Sequence, residues 1–262
     1  MVSLDSEPEV FIHIIIIGWL MIEKELEIPT SDGSMDVYSV APDEVDSCPT
    51  VIFLMDAPGK RQELHDMAMR IATVGYHVLL PNLYYRKSKN FEMNWSDEGK
   101  KEMFEMTRHL SISLVMDDVK SLLSYTDTQL QYKKQKVGVI GYCMSGPFAI
   151  AAASFFPDRI CSAASIYGAN LVTKRDDSPH RIAKQAKAEL YFACAEVDEW
   201  ASNEAIEALD KALADYDLSY RIEWYEGVEH GFAFPGRLNI YDRLSAEKHW
   251  NRVFSLFRRT LH

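Results

Sequence analysis

The chain has 262 residues, of which 47% are hydrophobic and 26% charged, enough for a substantial core within one large α/β domain and with no second domain required. A formal net charge of -11 argues against a nucleic-acid partner, because proteins that bind polyanions carry a basic face to displace counterions from the phosphates. Cys48, Cys143, Cys161 and Cys194 form no C-x-x-C pair and the histidines no H-E-x-x-H, so no disulfide framework, metal site or cofactor is expected, and a reducing cytoplasm is.

Residues 10–22 (VFIHIIIIGWLMI) are the compositional outlier, apolar but too short to span a bilayer. Asp5, Glu7 and Glu9 precede them where a secretory signal would be positive, and no A-x-A-like cleavage site follows. Residues 1–21 are therefore set apart as an extension, readable as an added strand or helix, a weak membrane-associating segment or the product of a start codon upstream of Met21. Residues 22–262 form the single domain.

Residues 25–40 predict a β-hairpin around Thr30-Ser31-Asp32-Gly33-Ser34. After a polar, Pro-bounded connection, 51–55 is a continuous apolar run of the kind that a strand buried on both faces needs, ending in the loop Asp56-Ala57-Pro58-Gly59. Leu64, Met67, Ala68, Ile71 and Ala72 have helical spacing within 63–74 and Gly75 stops them; residues 77–81 are the next strand. Strand, helix and strand with short links imply parallel order with a right-handed crossover. A polar stretch to Gly99 leads to helical patterns through Tyr125. Further strands are expected at 160–166, 188–194 and 219–224, and helices at 203–214 and 241–261. This alternation predicts a mostly parallel, doubly wound sheet with helices on both faces and ligands at the carboxyl ends of its strands.

Residues 136–153 carry the strongest local signal. Val137, Val139 and Ile140 read as a buried strand, a small-residue corner follows, and an Ala-rich helix begins. Cys143 stands at the tip of this elbow, where free backbone N–H groups and the helix dipole favour an anion and hence a thiolate. A lone cysteine here is as readily a small buried hydrophobe, so its partners decide.

A nucleophile at an elbow needs a base, and the base needs an acid to orient it. Asp198 follows one strand and His230 another, giving the order Cys143, Asp198, His230, which is the nucleophile, acid, histidine order of the α/β-hydrolases. Gly227 and Gly231 permit a tight loop, Phe232 and Phe234 would shield the imidazole, and Phe232 and Asp56 are also placed among the substrate-binding residues. Glu196 and Glu199 compete for the acid; Asp198 is preferred because four residues past the predicted strand end leave its side chain room to turn back.

On Gly141-Tyr142-Cys143-Met144-Ser145-Gly146, residues 54–59 and 75–84, and His230-Gly231-Phe232, the chain resembles the dienelactone hydrolase family, a cysteine branch of the α/β-hydrolases, over about residues 22–261. The resemblance implies Cys143 as nucleophile, His230 as base, Asp198 as acid, the amides of Met144 and Ala57 as oxyanion hole, and Arg86 as the group meeting a substrate carboxylate. Asp56 stands where the family usually has a Glu that holds the cysteine's proton until substrate arrives, and Ser145 where it usually has Gly, which raises a minor alternative in which Ser145 reacts. A second carboxylate-binding arginine of the family falls on Phe234; Arg237 is near, but reads as a surface residue. The implied activity is hydrolysis of a small ester or lactone, with a substrate carboxylate left open, through a thioester acyl-enzyme in a monomer or small homo-oligomer.

Two other classes remain. A dinucleotide-binding oxidoreductase lacks its G-x-G-x-x-G run. A non-catalytic binding protein on the hydrolase fold would be marked by loss of a triad residue, and none is missing.

Overall fold

The computed structural model describes residues 21–43, 47–129 and 135–262. The expectation placed on residues 1–20 lies outside them. In chain order the elements are β1 (Met21–Thr30), β2 (Gly33–Pro42), β3 (Thr50–Leu54), α1 (Gln62–Ala72), β4 (His77–Pro81), α2 (Asp97–Arg108), α3 (Ile112–Thr128), β5 (Val137–Tyr142), α4 (Gly146–Phe155), β6 (Ile160–Ile166), α5 (Pro179–Ile182), β7 (Glu189–Val197), α6 (Asn203–Ala214), β8 (Tyr220–Glu229) and α7 (Arg243–Leu261).

The strands form one eight-stranded sheet in the order β1-β2-β4-β3-β5-β6-β7-β8. β1 and β2 are the predicted hairpin, with Thr30 paired to Gly33 across a two-residue turn, and they pair antiparallel with each other and with β4; from β4 to β8 all pairs are parallel. This is the mostly parallel α/β-hydrolase sheet. β3, β4 and β5 are buried along their whole length, as their near-continuous apolar runs require.

α1 and α7 pack together, Arg70 of α1 pairing with Glu247 and lying over the Trp250 ring of α7. α7 also closes on β5: a Cβ at Gly138 would stand 3.0 Å from Phe257 and 3.1 Å from Leu261. α3 and α4 pack together, and α4 covers β5 and β6. Ser96, Ser111, Ser202 and Asp242 each accept a backbone N–H in the first turn of α2, α3, α6 and α7 and so fix where those helices begin.

Two strand ends differ from expectation. β7 runs three residues past Cys194 to Val197, and β8 five residues past Trp224 to Glu229. β8 is the sheet's edge, where backbone pairing on one side carries a strand through side chains as polar as Glu226 and Glu229.

Candidate active site

The centre of the sheet sets the first functional group. β5 lies between β3 and β6, and directly after Tyr142 the chain turns at Cys143 with φ 54, a left-handed conformation costly for any residue with a Cβ. A single 3₁₀ turn, Cys143–Ser145, leads into α4. The corner is too tight for side chains on either flank: a Cβ at Gly141 would fall 2.1 Å from the Ser145 carbonyl oxygen, and one at Gly146 would fall 2.4 Å from Gly168 Cα. Ser145 is fully buried and its hydroxyl donates to the Met55 carbonyl at 2.5 Å, tying the elbow to the end of β3. Its hydroxyl does not reach the cavity that Cys143 and Met144 line, which removes the structural basis for the serine alternative.

The register of β7 and β8 places the next two groups. Val197 pairs with Glu229, so the residues that follow, Asp198 and His230, emerge side by side. The His230 amide donates to the Val197 carbonyl at 3.1 Å, and the ring's Nδ1 and Asp198 Oδ2 are 2.8 Å apart. Asp198 is thus one residue past its strand rather than four, and needs no room to turn back. Gly231, directly after His230, adopts the positive φ of 99 that a tight loop needs, whereas Gly227, with φ 70, lies within β8 rather than in a loop.

Nε2 of His230 is buried and makes no aligned hydrogen bond, yet the Cys143 sulfur is close enough to act on the ring. Burial by itself would lower the imidazole pKa, but Asp198 and Cys143 outweigh it and raise the value to about 9. Asp198 also accepts from the amides of Trp200 and Ala201, which fixes its carboxylate.

Phe232 and Phe234 do not shield the imidazole directly. Both are fully buried behind Tyr167, whose ring meets His230 edge-on at 5.0 Å and Phe232 at 5.3 Å. Phe232 stacks on Tyr225 and does not line the cavity, so it is not a substrate contact.

Beneath the elbow, Asp56 is fully buried between two arginines: Arg61 donates at 2.5 Å and Arg237 at 3.1 Å. Arg61 also bonds Glu63 at 2.6 Å, and both guanidiniums lie 5.1 Å from the centre of the Phe234 ring. Arg237 is therefore a nearly buried member of the site, not the surface residue that its loop suggested. Space for it comes from Gly231, where a Cβ would come within 2.1 Å of Arg237 Nη1.

Cys143, Met144, Ala57, His230 and Arg237 share one cavity of about 960 Å³ at the carboxyl ends of the strands. A shallower cavity of about 500 Å³ between the β1–β2 turn and α3 contains neither Cys143 nor a histidine. Among the described residues no His, Cys, Asp and Glu group has the arrangement of a metal site, and no helix is long and apolar enough to cross a membrane.

The family model for the dienelactone hydrolase family matches residues 35–261. The chain belongs to the dienelactone hydrolase family. It is a hydrolase acting on carboxylic ester and lactone bonds. It is 25% identical over 231 residues to the carboxymethylenebutenolidase of Rhodococcus opacus, spanning 86% of each chain, and 28% identical over 202 residues to protein usf of Aquifex pyrophilus, 76% of this chain and 81% of that one. A solved dienelactone hydrolase of Anabaena variabilis superposes with a TM-score of 0.67 at 18% identity, covering 92% of this chain and 99% of that one, and so supports the fold.

Against the family's pattern, one predicted contact is not brought to the cavity. Arg86 bonds both oxygens of the buried Asp118 at 2.8 Å and Asp32 at 2.7 Å, and is absent from the cavity lining. Its guanidinium fastens the hairpin turn to α3, because an unpaired buried Asp118 would be far costlier than a wet arginine loop. Arg61, Arg237 and Tyr167 were missed as site residues. Only Gly231 hinted at one of them, since a glycine beside a histidine can mark a close approach by another side chain.

Proposed function

We propose that the protein cleaves a small ester or lactone through Cys143 as nucleophile, His230 as base and Asp198 as the acid that orients it. The observation that carries this reading is the convergence of a cysteine held at positive φ with a paired His230 and Asp198 on one cavity. The thiol proton of Cys143 passes to Nε2 of His230, where Asp198 and Cys143 stabilise the imidazolium by raising its pKa to about 9, and Sγ attacks the carbonyl carbon as the thiolate. The amides of Met144 and Ala57, both at the cavity wall, hold the tetrahedral oxyanion. Collapse breaks the C–O bond, the leaving alkoxide takes the proton from His230, and a thioester remains. Water then attacks the thioester, gives its proton to His230, and the acid leaves as the Cys143 thiol is restored. No cofactor enters the scheme.

With both oxygens engaged by Arg61 and Arg237, Asp56 serves in this reading as a positioning residue under the elbow, not as the store of the thiol proton. The free thiols are in keeping with a cytoplasmic protein, and residues 22–262 with a single domain.

The test is a panel of activated esters, thioesters and small lactones with wild type and Cys143→Ala, and mass spectrometry of the acylated enzyme. Turnover should vanish in the variant, and the acyl mass should map to Cys143 in wild type. Near-wild-type turnover by Cys143→Ala would remove the cysteine reading, whereas no turnover by wild type on the whole panel would favour the binding-protein reading.

A further inference from the structure

The cavity is far larger than a small lactone fills. A space of roughly 150 Å³ already holds a benzene-sized molecule, whereas this one is about 960 Å³, near the upper end for small-molecule sites. Part of its wall comes from the loop before α2, from α2 and from the start of α3, which contribute Met93, Trp95, Met103, Phe104 and Ile112. Of α2 itself only Gly99 is fully buried; Met103 and Met106 pack partly buried against the core, and Met103 and Phe104 line the cavity.

Large apolar side chains are left unusually open here. Trp95, Phe104, Val197 and Trp200 are each more than one-third exposed, and all four line this one cavity. Phe104 of α2 and Trp200 of the loop after β7 pack on one another in its wall, with ring centres 5.8 Å apart. Trp200 is anchored by its amide to Asp198, so the aromatic pair is set in register with His230. Contiguous open apolar surface of this kind marks a ligand groove.

The charges argue in the same direction. Arg61 and Arg237 are balanced by Asp56 and Glu63, and Arg175 is matched by both oxygens of Asp177. Lys100 and Arg108 stand in the exposed part of α2, and Glu199 and Glu229 share the same lining. A substrate carboxylate near Cys143 would meet guanidiniums already neutralised.

Resting on the cysteine-hydrolase reading above, we infer that the preferred substrate is a neutral ester carrying a bulky apolar group, aryl or medium-chain alkyl, packed against the Phe104–Trp200 pair. Each buried methylene then raises kcat/KM by up to about fourfold.

The experiment measures kcat/KM for p-nitrophenyl acetate, butyrate and hexanoate, for methyl and benzyl acetates, and for an acidic dienelactone. A rise of about tenfold or more from acetate to hexanoate, or from methyl to benzyl, is expected. Phe104→Ala and Trp200→Ala should each shrink the hexanoate-to-acetate ratio severalfold, Phe104→Leu should restore part of it, and Phe155→Ala, an exposed phenylalanine outside the cavity, should leave it unchanged. Ratios flat in both series, a tenfold preference for the acidic lactone, or an equal effect of Phe155→Ala overturns the inference even if a cavity variant fails to fold. Cys143→Ala separates the two levels: acetate turnover that survives it removes the cysteine reading, whereas turnover that it abolishes in an enzyme with flat ratios removes only the substrate class.

Discussion

Val197 and Glu229 are the last registered partners of β7 and β8, and that pairing alone brings Asp198 and His230 to neighbouring positions, 2.8 Å apart, after 31 intervening residues of chain. The acid and the base are therefore aligned by backbone hydrogen bonding at a sheet edge rather than by side-chain packing.

One consequence is a pH dependence of stability with a definite sign. Against the effect of burial, Asp198 and Cys143 raise the folded pKa of His230 from 6.5 to about 9, so the stability that these contacts contribute is complete below about 6.5 and is lost as pH rises through 9. About 2.5 units correspond to a ceiling of ~3 kcal/mol. Asp198→Asn should flatten the stability profile between pH 6.5 and 9, lower the imidazole's titration seen by NMR, and reduce kcat by about 10²–10⁴-fold. An unchanged imidazole titration in Asp198→Asn would disconnect the two residues.

How much of this could be read in the sequence varies by element. Central strands announce themselves because β3, β4 and β5 are buried on both faces and contain little else than apolar residues, and the Gly141 to Gly146 corner announces the elbow because no side chain fits its flanks. The end of β8 does not, since an edge strand tolerates Glu226 and Glu229 and so resembles a loop. Arg86 and Arg237 were assigned opposite roles to those they have. Both lie in polar loops, and only the fold shows that Asp118 reaches the first and Asp56 the second.

Arg86→Ala should act on stability. It leaves Asp118, fully buried, without its cation, at a cost of about 3 kcal/mol, read from the denaturant midpoint. Any fall in activity should be equal for acidic and neutral substrates once corrected for folded fraction. A KM increase confined to acidic lactones would instead restore the carboxylate-binding role.

Deleting residues 1–20 should leave the described elements intact, because β1 begins at Met21 and already pairs with Pro42. Cooperative thermal unfolding and ester hydrolysis should both survive the deletion. Loss of the cooperative transition would make those residues part of the fold.

The positive φ of Cys143 supplies a test that does not depend on turnover. A residue with a Cβ pays roughly 1–2 kcal/mol to sit in the left-handed region, and glycine does not. Cys143→Gly and Cys143→Ala should be equally inactive, yet the glycine variant should be the more stable by about 1 kcal/mol in denaturant unfolding. Iodoacetamide should label Cys143 and spare Cys48 and Cys194: burial pushes the thiols of those two up to about 11 and about 12, which keeps both protonated and unreactive at neutral pH. Labelling at either of those with Cys143 untouched, together with a glycine variant no more stable than the alanine one, would mean that the elbow is neither strained nor reactive.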